Sequence, residues 1–212
     1  MRMRKKKWAE PYINSHPEKA ILNHDQYKGS WQKLFNKDEI HLEIGTGKGE
    51  YISSMSKLYP NTAWIGIEKE TNVCAVCLKK VVEQDLNNVK IMNADANLIN
   101  DYFASKEIDV IHLNFSDPWP KNSHSKRRLS SKVFLDRYYD ILKDDGHIIM
   151  KTDNKQLFEF SIIEISNHKF KIKDFWVDFR REEHLEDTIT EYEQKFMDLK
   201  QPIYRVIFKK VV

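Results

Sequence analysis

The stretch Leu42-Glu43-Ile44-Gly45-Thr46-Gly47-Lys48-Gly49-Glu50 sets the architecture of this chain. An apolar run at 39–44 ends in three glycines at alternate positions, the punctuation of a tight turn. From 50 to 59, Ile52, Met55 and Tyr59 recur at helical spacing, and Pro60 stops the pattern. Residues 62–68 are apolar again. Strand, glycine turn, helix and strand make a βαβ unit, whose two strands must run parallel because the helix crosses over between them.

Beyond this unit the alternation continues. The spacing predicts a helix over 71–86, a strand over 89–92, a short helix over 98–103 and a strand over 108–115. A helix over 131–142 closed at Gly146, a strand over 147–151 and a helix over 155–166 follow. Two alternating segments, 170–177 and 203–209, are separated by 25 residues, too long a connection for a tight hairpin. This order argues for an α/β fold around a mainly parallel sheet. Residues 1–37 lack strict periodicity and contain Pro11, Pro17 and Gly29, so they read as an arm packed on the domain formed by 38–212.

Ligands of such sheets bind beyond the carboxyl ends of the strands. Acids gather at those ends: Glu43, Glu68, Asp95, Asp117 and Asp153. A dinucleotide fingerprint reads G-x-G-x-x-G, but here the third glycine comes one residue early and Glu50 holds its place. Glu43 would repel a pyrophosphate, whereas a cofactor carrying a sulfonium and an amine would be attracted. The loop around Gly45 and Gly47 therefore points to S-adenosylmethionine. Glu68 stands where an acid accepts from ribose hydroxyls. In Asn93-Ala94-Asp95-Ala96, Asp95 is placed either to accept from an adenine amino group or to cap the helix that follows.

The second informative stretch is Phe115-Ser116-Asp117-Pro118-Trp119-Pro120-Lys121, followed by His124, Lys126, Arg127 and Arg128. Two prolines stiffen the loop around Trp119, Asp117 projects an acceptor, and the cations suit phosphate. The whole chain has 35 Lys plus Arg against 32 Asp plus Glu, a net charge of +3, but the charges are segregated. Residues 1–7 and 121–132 each carry five basic side chains and no acidic one, a pattern that suits nucleic acid.

Other classes are excluded by composition. With 41% apolar and 32% charged residues in 212, the chain fits a single globular domain. It has no run long enough for a membrane span and no secretory signal at its start, so a cytoplasmic protein is expected. Cys74 and Cys77 are flanked by Val73, Val76, Leu78 and Val81 at helical spacing and read as packing residues. The eight histidines show no metal-ligand spacing, and no metal is expected.

Taken together, L-E-I-G-T-G-K-G (42–49), G-I-E (66–68), the Asp95 region, S-D-P-W-P-K (116–121), K-R-R-L (126–129), K-T-D-N (151–154) and T-E-Y-E (190–193) resemble the bacterial tRNA (guanine-N7)-methyltransferases. The resemblance implies a Rossmann-like class I methyltransferase fold: a seven-stranded, mainly parallel sheet with helices on both faces and the last strand antiparallel. It implies S-adenosylmethionine as methyl donor and tRNA as partner, in a monomer or homodimer. By the same resemblance Glu43, Gly45, Gly47, Glu68, Asp95, Ala96 and Asp117 line the cofactor site, with Asp117 the catalytic candidate. Lys121, Asp153, Thr190, Glu191, Tyr192 and Glu193 would contact the substrate, and His124, Lys126, Arg127 and Arg128 the RNA. Where the family is usually basic, this chain has Asn122 and Ser123. Thr190 and Glu193 also fit a capping box. Two other readings are an adenine amino-methyltransferase, because Asp117-Pro118-Trp119 is similar to an Asp-Pro-Pro-aromatic motif, and a non-catalytic RNA-binding protein with the same fold.

Overall fold

A computed structural model describes residues 6–211. Seven strands form one sheet: β1 (Ile40–Ile44), β2 (Ala63–Ile67), β3 (Val89–Met92), β4 (Ile108–Asn114), β5 (Leu142–Thr152), β6 (Phe170–Trp176) and β7 (Tyr204–Lys210). Their order is β3-β2-β1-β4-β5-β7-β6. The first five run parallel, and β7 lies antiparallel between β5 and β6. The strand order reverses between β1 and β4, which places a crevice beyond the carboxyl ends of those two strands.

The helices are α1 (Ala9–Asn14), α2 (Trp31–Phe35), α3 (Glu50–Leu58), α4 (Thr71–Glu83), α5 (Ile99–Tyr102), α6 (Lys132–Ile141), α7 (Lys155–Ser166) and α8 (Glu191–Asp198). Apolar side chains leave the sheet on both faces, as strands buried on two sides require. Leu42, Ile65 and Ile111 join Trp31, Tyr102, Leu135, Tyr138 and Leu157 in one core. Trp64, Val89 and Ile91 join Ile13, Ile52, Cys74, Cys77 and Leu78 in the other. Both cysteines thus pack within α4, and burial pushes the Cys77 thiol up to about 12.

Residues 6–37 are tied to this body at several points. The amide of Ile21 donates to the Ile91 carbonyl at 2.9 Å, and the amide of Ile91 donates to the Lys19 carbonyl at 2.9 Å, so the chain covers the open edge of β3. The Glu107 carboxylate accepts from the amides of Gly29, Trp31 and Ala104. Of the basic segment 1–7, residues 1–5 lie outside the described part.

The structure departs from the sequence reading in three places. Gly146 does not close a helix: α6 ends at Ile141, and the chain passes straight into β5, where Gly146 is an interior residue. A Cβ there would stand 3.0 Å from the carbonyl oxygens of Asp109 and Lys143, so close backbone approach explains the glycine. The helix expected over 98–103 is split into a 3₁₀ turn at Ala96–Leu98 and α5. The basic loop contains a 3₁₀ turn, Asn122–Arg127, which the sequence pattern did not indicate.

Candidate active site

The carboxyl ends of β1 and β4 open into a cleft of about 290 Å³, lined by Glu43, the glycine loop, Asn114, Phe115 and residues 190–192. Gly45 and Gly47 turn the loop with φ of 79° and 55°, and a Cβ on either would meet nothing within 4 Å. The loop needs glycine for its backbone angles and leaves its inner side open to a ligand.

At the floor of the cleft Glu43 is 2% exposed. Its Oε1 accepts from Asn114 Nδ2 at 3.1 Å, while Oε2 is buried without a partner. Burial, only partly offset by Asn114, the charge of Lys151 and the Ile52 amide, pushes the carboxyl up from 4.5 to about 8. Asn114 Oδ1 is likewise buried and unpartnered. Buried polar atoms are almost always satisfied, and an orphan atom on each of two side chains that are bonded to each other calls for a further partner. A positively charged amine is the group that meets both needs, because it donates and it relieves the desolvated acid. This donor set fits the amino-acid end of S-adenosylmethionine.

Glu68 follows β2, and its two oxygens accept from the amides of Gly47 at 3.1 Å and Glu70 at 2.9 Å. Burial raises its pKa against those hydrogen bonds. Glu68 therefore pins the glycine loop to the sheet and keeps further acceptor sites for hydroxyls. Asp95 caps the 3₁₀ turn through the Asn97 amide at 3.0 Å, and Lys69 holds its other oxygen at 2.6 Å. Burial raises the Asp95 carboxyl, but those bonds outweigh it and keep it below its ordinary value. Ala96 is buried behind it. Glu68 and Asp95 are half-buried and do not line the cleft that holds Glu43.

The opposite wall is built by β4, β5 and α8. Phe115 adopts a left-handed backbone, φ 50°, and turns its ring 5.0 Å from that of Tyr192. The Tyr192 hydroxyl stands 3.5 Å from Asp153 Oδ1. Burial, then the nearby charges of Asp153 and Asp117, push that hydroxyl up. Asp117 and Lys121 are exposed. Thr190 caps α8, accepting from the Glu193 amide at 3.1 Å, and the Glu191 amide donates to Glu50 Oε2 at 3.0 Å, so the start of α8 touches α3, the helix after the glycine loop.

Two expected contact residues are not on the rim. Glu193 is fully buried: Arg180 Nε donates to its Oε1 at 2.6 Å and Lys151 Nζ to its Oε2 at 3.1 Å. Only the Thr190 half of the capping box forms, because ion pairs claim the Glu193 side chain. Arg128 is also buried; its Nε and Nη2 donate at 3.0 Å to the carbonyls of Pro118 and Trp119, and its guanidinium lies 4.2 Å over Phe160. It braces the proline loop from beneath. Arg127 instead lies 4.9 Å over the Trp119 ring, with His124 edge-on at 5.7 Å, and Lys126 is exposed. Sequence reasoning missed Asn114, Arg180 and Asp187, and it quoted Phe115 and Lys151 within motifs without giving either a role. Lysine at the end of the apolar run of β5 was the signal for Lys151.

Residues 37–206 match a family described as "Putative methyltransferase". The chain is 46% identical over 209 residues to the tRNA (guanine-N(7)-)-methyltransferase of Limosilactobacillus reuteri (strain DSM 20016), covering 98% of each. It is 42% identical over 207 residues to the enzyme of the same name from Streptococcus agalactiae serotype III (strain NEM316), covering 97% of this chain and 98% of that one. Its fold is shared with an antibiotic-related methyltransferase at TM-score 0.65 and 20% identity, covering 86% of this chain and 94% of the other. A SAM-dependent methyltransferase from Aquifex aeolicus superposes at TM-score 0.59 and 14% identity, covering 84% of this chain and 87% of that one. The switch-point cleft and these matches define a class I methyltransferase dependent on S-adenosylmethionine. Within that class, the chain belongs to the family of bacterial tRNA (guanine-N7)-methyltransferases.

Proposed function

We propose that this chain transfers a methyl group from S-adenosylmethionine to N7 of a variable-loop guanine in tRNA, in the cytoplasm. The observation that carries the cofactor half is the buried, unpartnered Oε2 of Glu43 beside the orphan Oδ1 of Asn114. Near-full-length relatives named for guanine-N7 methylation of tRNA support the substrate half.

Glu43 and Asn114 hold the amine, Glu68 and Asp95 the ribose and adenine, and the glycine loop leaves room between them. When bound, the cofactor supplies a methyl group on a positively charged sulfur. Guanine N7 carries a free lone pair and no proton, so the chain needs no strong general base. Alignment of the nucleophile at roughly 3–3.5 Å is worth on the order of 7–11 kcal/mol. Positive charge grows on the purine during transfer, and Asp117, together with Asp153, stabilises it more in the transition state than in the ground state. Lys121, Thr190, Glu191 and Tyr192 close on the base, while Trp119, His124, Lys126 and Arg127 meet the RNA backbone.

The test is methyl transfer to unmodified tRNA transcripts, followed by nuclease digestion and mass spectrometry of the nucleosides. 7-Methylguanosine is expected, and it disappears when the variable-loop guanine is replaced. Asp117→Ala is expected to abolish transfer while tRNA still binds. Methylated adenine, or no transfer by the wild-type protein, would overturn the reading.

A further inference from the structure

Behind the cleft wall lies a group of charges that the proposed chemistry does not use. Lys151, Asp187 and Glu193 are all buried, with Lys151 and Glu193 at 0% exposure. Lys151 Nζ donates to Asp187 Oδ2 at 2.6 Å and Glu193 Oε2 at 3.1 Å. Arg180 Nη2 donates to Asp187 Oδ2 at 2.6 Å and to the Thr188 carbonyl at 2.9 Å, and its Nε reaches Glu193. The Tyr51 hydroxyl donates to Asp187 Oδ1 at 2.9 Å and meets His112 Nδ1 at 3.1 Å. Two cations thus meet two anions, and every carboxylate oxygen is engaged.

Stability does not explain such a cluster, because well-packed apolar residues often serve as well or better than a buried ion pair. Directional bonds do something apolar contacts cannot: they fix one pose. The bonds grip the chain on both sides of the start of α8, at Asp187 and Thr188 before it and at Glu193 within its first turn. The residues between them are those that reach the cleft, where Glu191 bonds Glu50 and Tyr192 stands between Phe115 and Asp153.

Resting on the proposed function, we infer that Lys151 and Arg180 are positioning residues of the guanine site. They hold Asp187 and Glu193 so that Glu191 and Tyr192 stand in register with Asp117 and Asp153. Glu193 acts through this cluster and not as a ligand of the base.

The test is the double variant Lys151→Met/Asp187→Asn, which removes one charge of each sign and leaves the Arg180–Glu193 pair. Glu193 and every residue lining the cleft stay in place. Misplacement of about 1 Å in such a site costs on the order of 10²-fold in rate. Single-turnover transfer is therefore expected to fall roughly 30- to 100-fold, with tRNA affinity within about threefold, S-adenosylhomocysteine affinity lowered only through the weaker ionisation of Glu43 once the Lys151 charge is gone, and faster amide exchange at 187–193. Lys151→Met alone serves as a second variant, read by exchange in the same segment. Wild-type turnover with unchanged exchange would overturn the inference, as would loss of S-adenosylhomocysteine binding in step with the rate. Absence of guanine methylation by the wild-type protein would sink the functional reading instead, and exchange would still decide the pose.

Discussion

Glu43 lies at the floor of the cleft and Glu193 behind its α8 wall, both buried, and they are treated oppositely by their surroundings. Glu193 has a cation on each oxygen. Glu43 has no cation on either oxygen and no hydrogen-bond partner on Oε2, and its pKa climbs to about 8. A folded chain tolerates a paired buried acid as architecture. An unpaired one costs stability, and its persistence is explained when something outside the chain supplies the missing charge. The contrast separates an acid that serves the architecture from one whose chemistry suits a cationic ligand.

The largest effect that tells the two acids apart is on stability. Glu193→Ala leaves Lys151 and Arg180 sharing Asp187 alone, a net buried positive charge. Removing one partner of a buried pair costs about 3–5 kcal/mol, which lowers the melting temperature by on the order of 10 °C for a domain of this size. Glu43→Gln is expected to leave the ligand-free protein at least as stable at pH 7, because the buried acid it replaces is already mostly protonated. Scanning calorimetry of both variants decides; equal losses would mean that the two acids are not different in kind.

The next effect is on pH dependence. In the folded chain Glu43 holds its proton up to about 8, whereas in the unfolded chain it ionises near 4.5. Between those values the unfolded state binds fewer protons, so Glu43 makes the ligand-free protein less stable as pH rises from about 5 to 8. An ammonium ligand reverses the preference and requires the carboxylate. Binding of S-adenosylhomocysteine is therefore expected to strengthen up to about tenfold per pH unit below 8 and to release a proton. Calorimetric titration in buffers of different ionisation enthalpy reads that proton directly. Glu43→Gln should abolish its release and weaken binding.

The same two regions show how far the sequence could be read. Glu43, Gly45, Gly47 and Glu68 were legible because a strand end, a glycine turn and a second strand end occur within one βαβ unit, where spacing determines geometry. The acids after β3, β4 and β5 were legible because a parallel sheet brings its carboxyl ends to one edge. The ion cluster was not legible: Lys151 meets Asp187 and Glu193 across 36 and 42 residues, through a connection without periodicity. For the same reason Thr190 and Glu193 were readable as a local cap, but not as a residue facing the cleft beside one facing away. Asn114 was hidden inside a strand, since nothing local marks which strand residue will stand beside a buried acid.

The basic rim repeats the comparison on a smaller scale, between neighbours. Sequence treats Lys126, Arg127 and Arg128 as one run, but Arg128 is bonded beneath the loop, while Lys126 is exposed and Arg127 rests on Trp119. Lys126→Ala/Arg127→Ala is expected to weaken tRNA binding several-fold and to lower the slope of log affinity against log salt by roughly 1.5–2, because each phosphate left without its cation keeps its counterion. The transfer rate at saturating tRNA should change little. Arg128→Ala should leave the salt slope near its original value and reduce transfer, because the carbonyls of Pro118 and Trp119 lose their brace and Asp117 precedes them in the same loop. Filter binding across a salt series, with single-turnover rates at saturation, distinguishes the two. If Arg128→Ala flattened the slope as much as the double variant, its side chain would be exchanging the loop carbonyls for phosphate when RNA arrives, and the rim would act as one electrostatic unit after all.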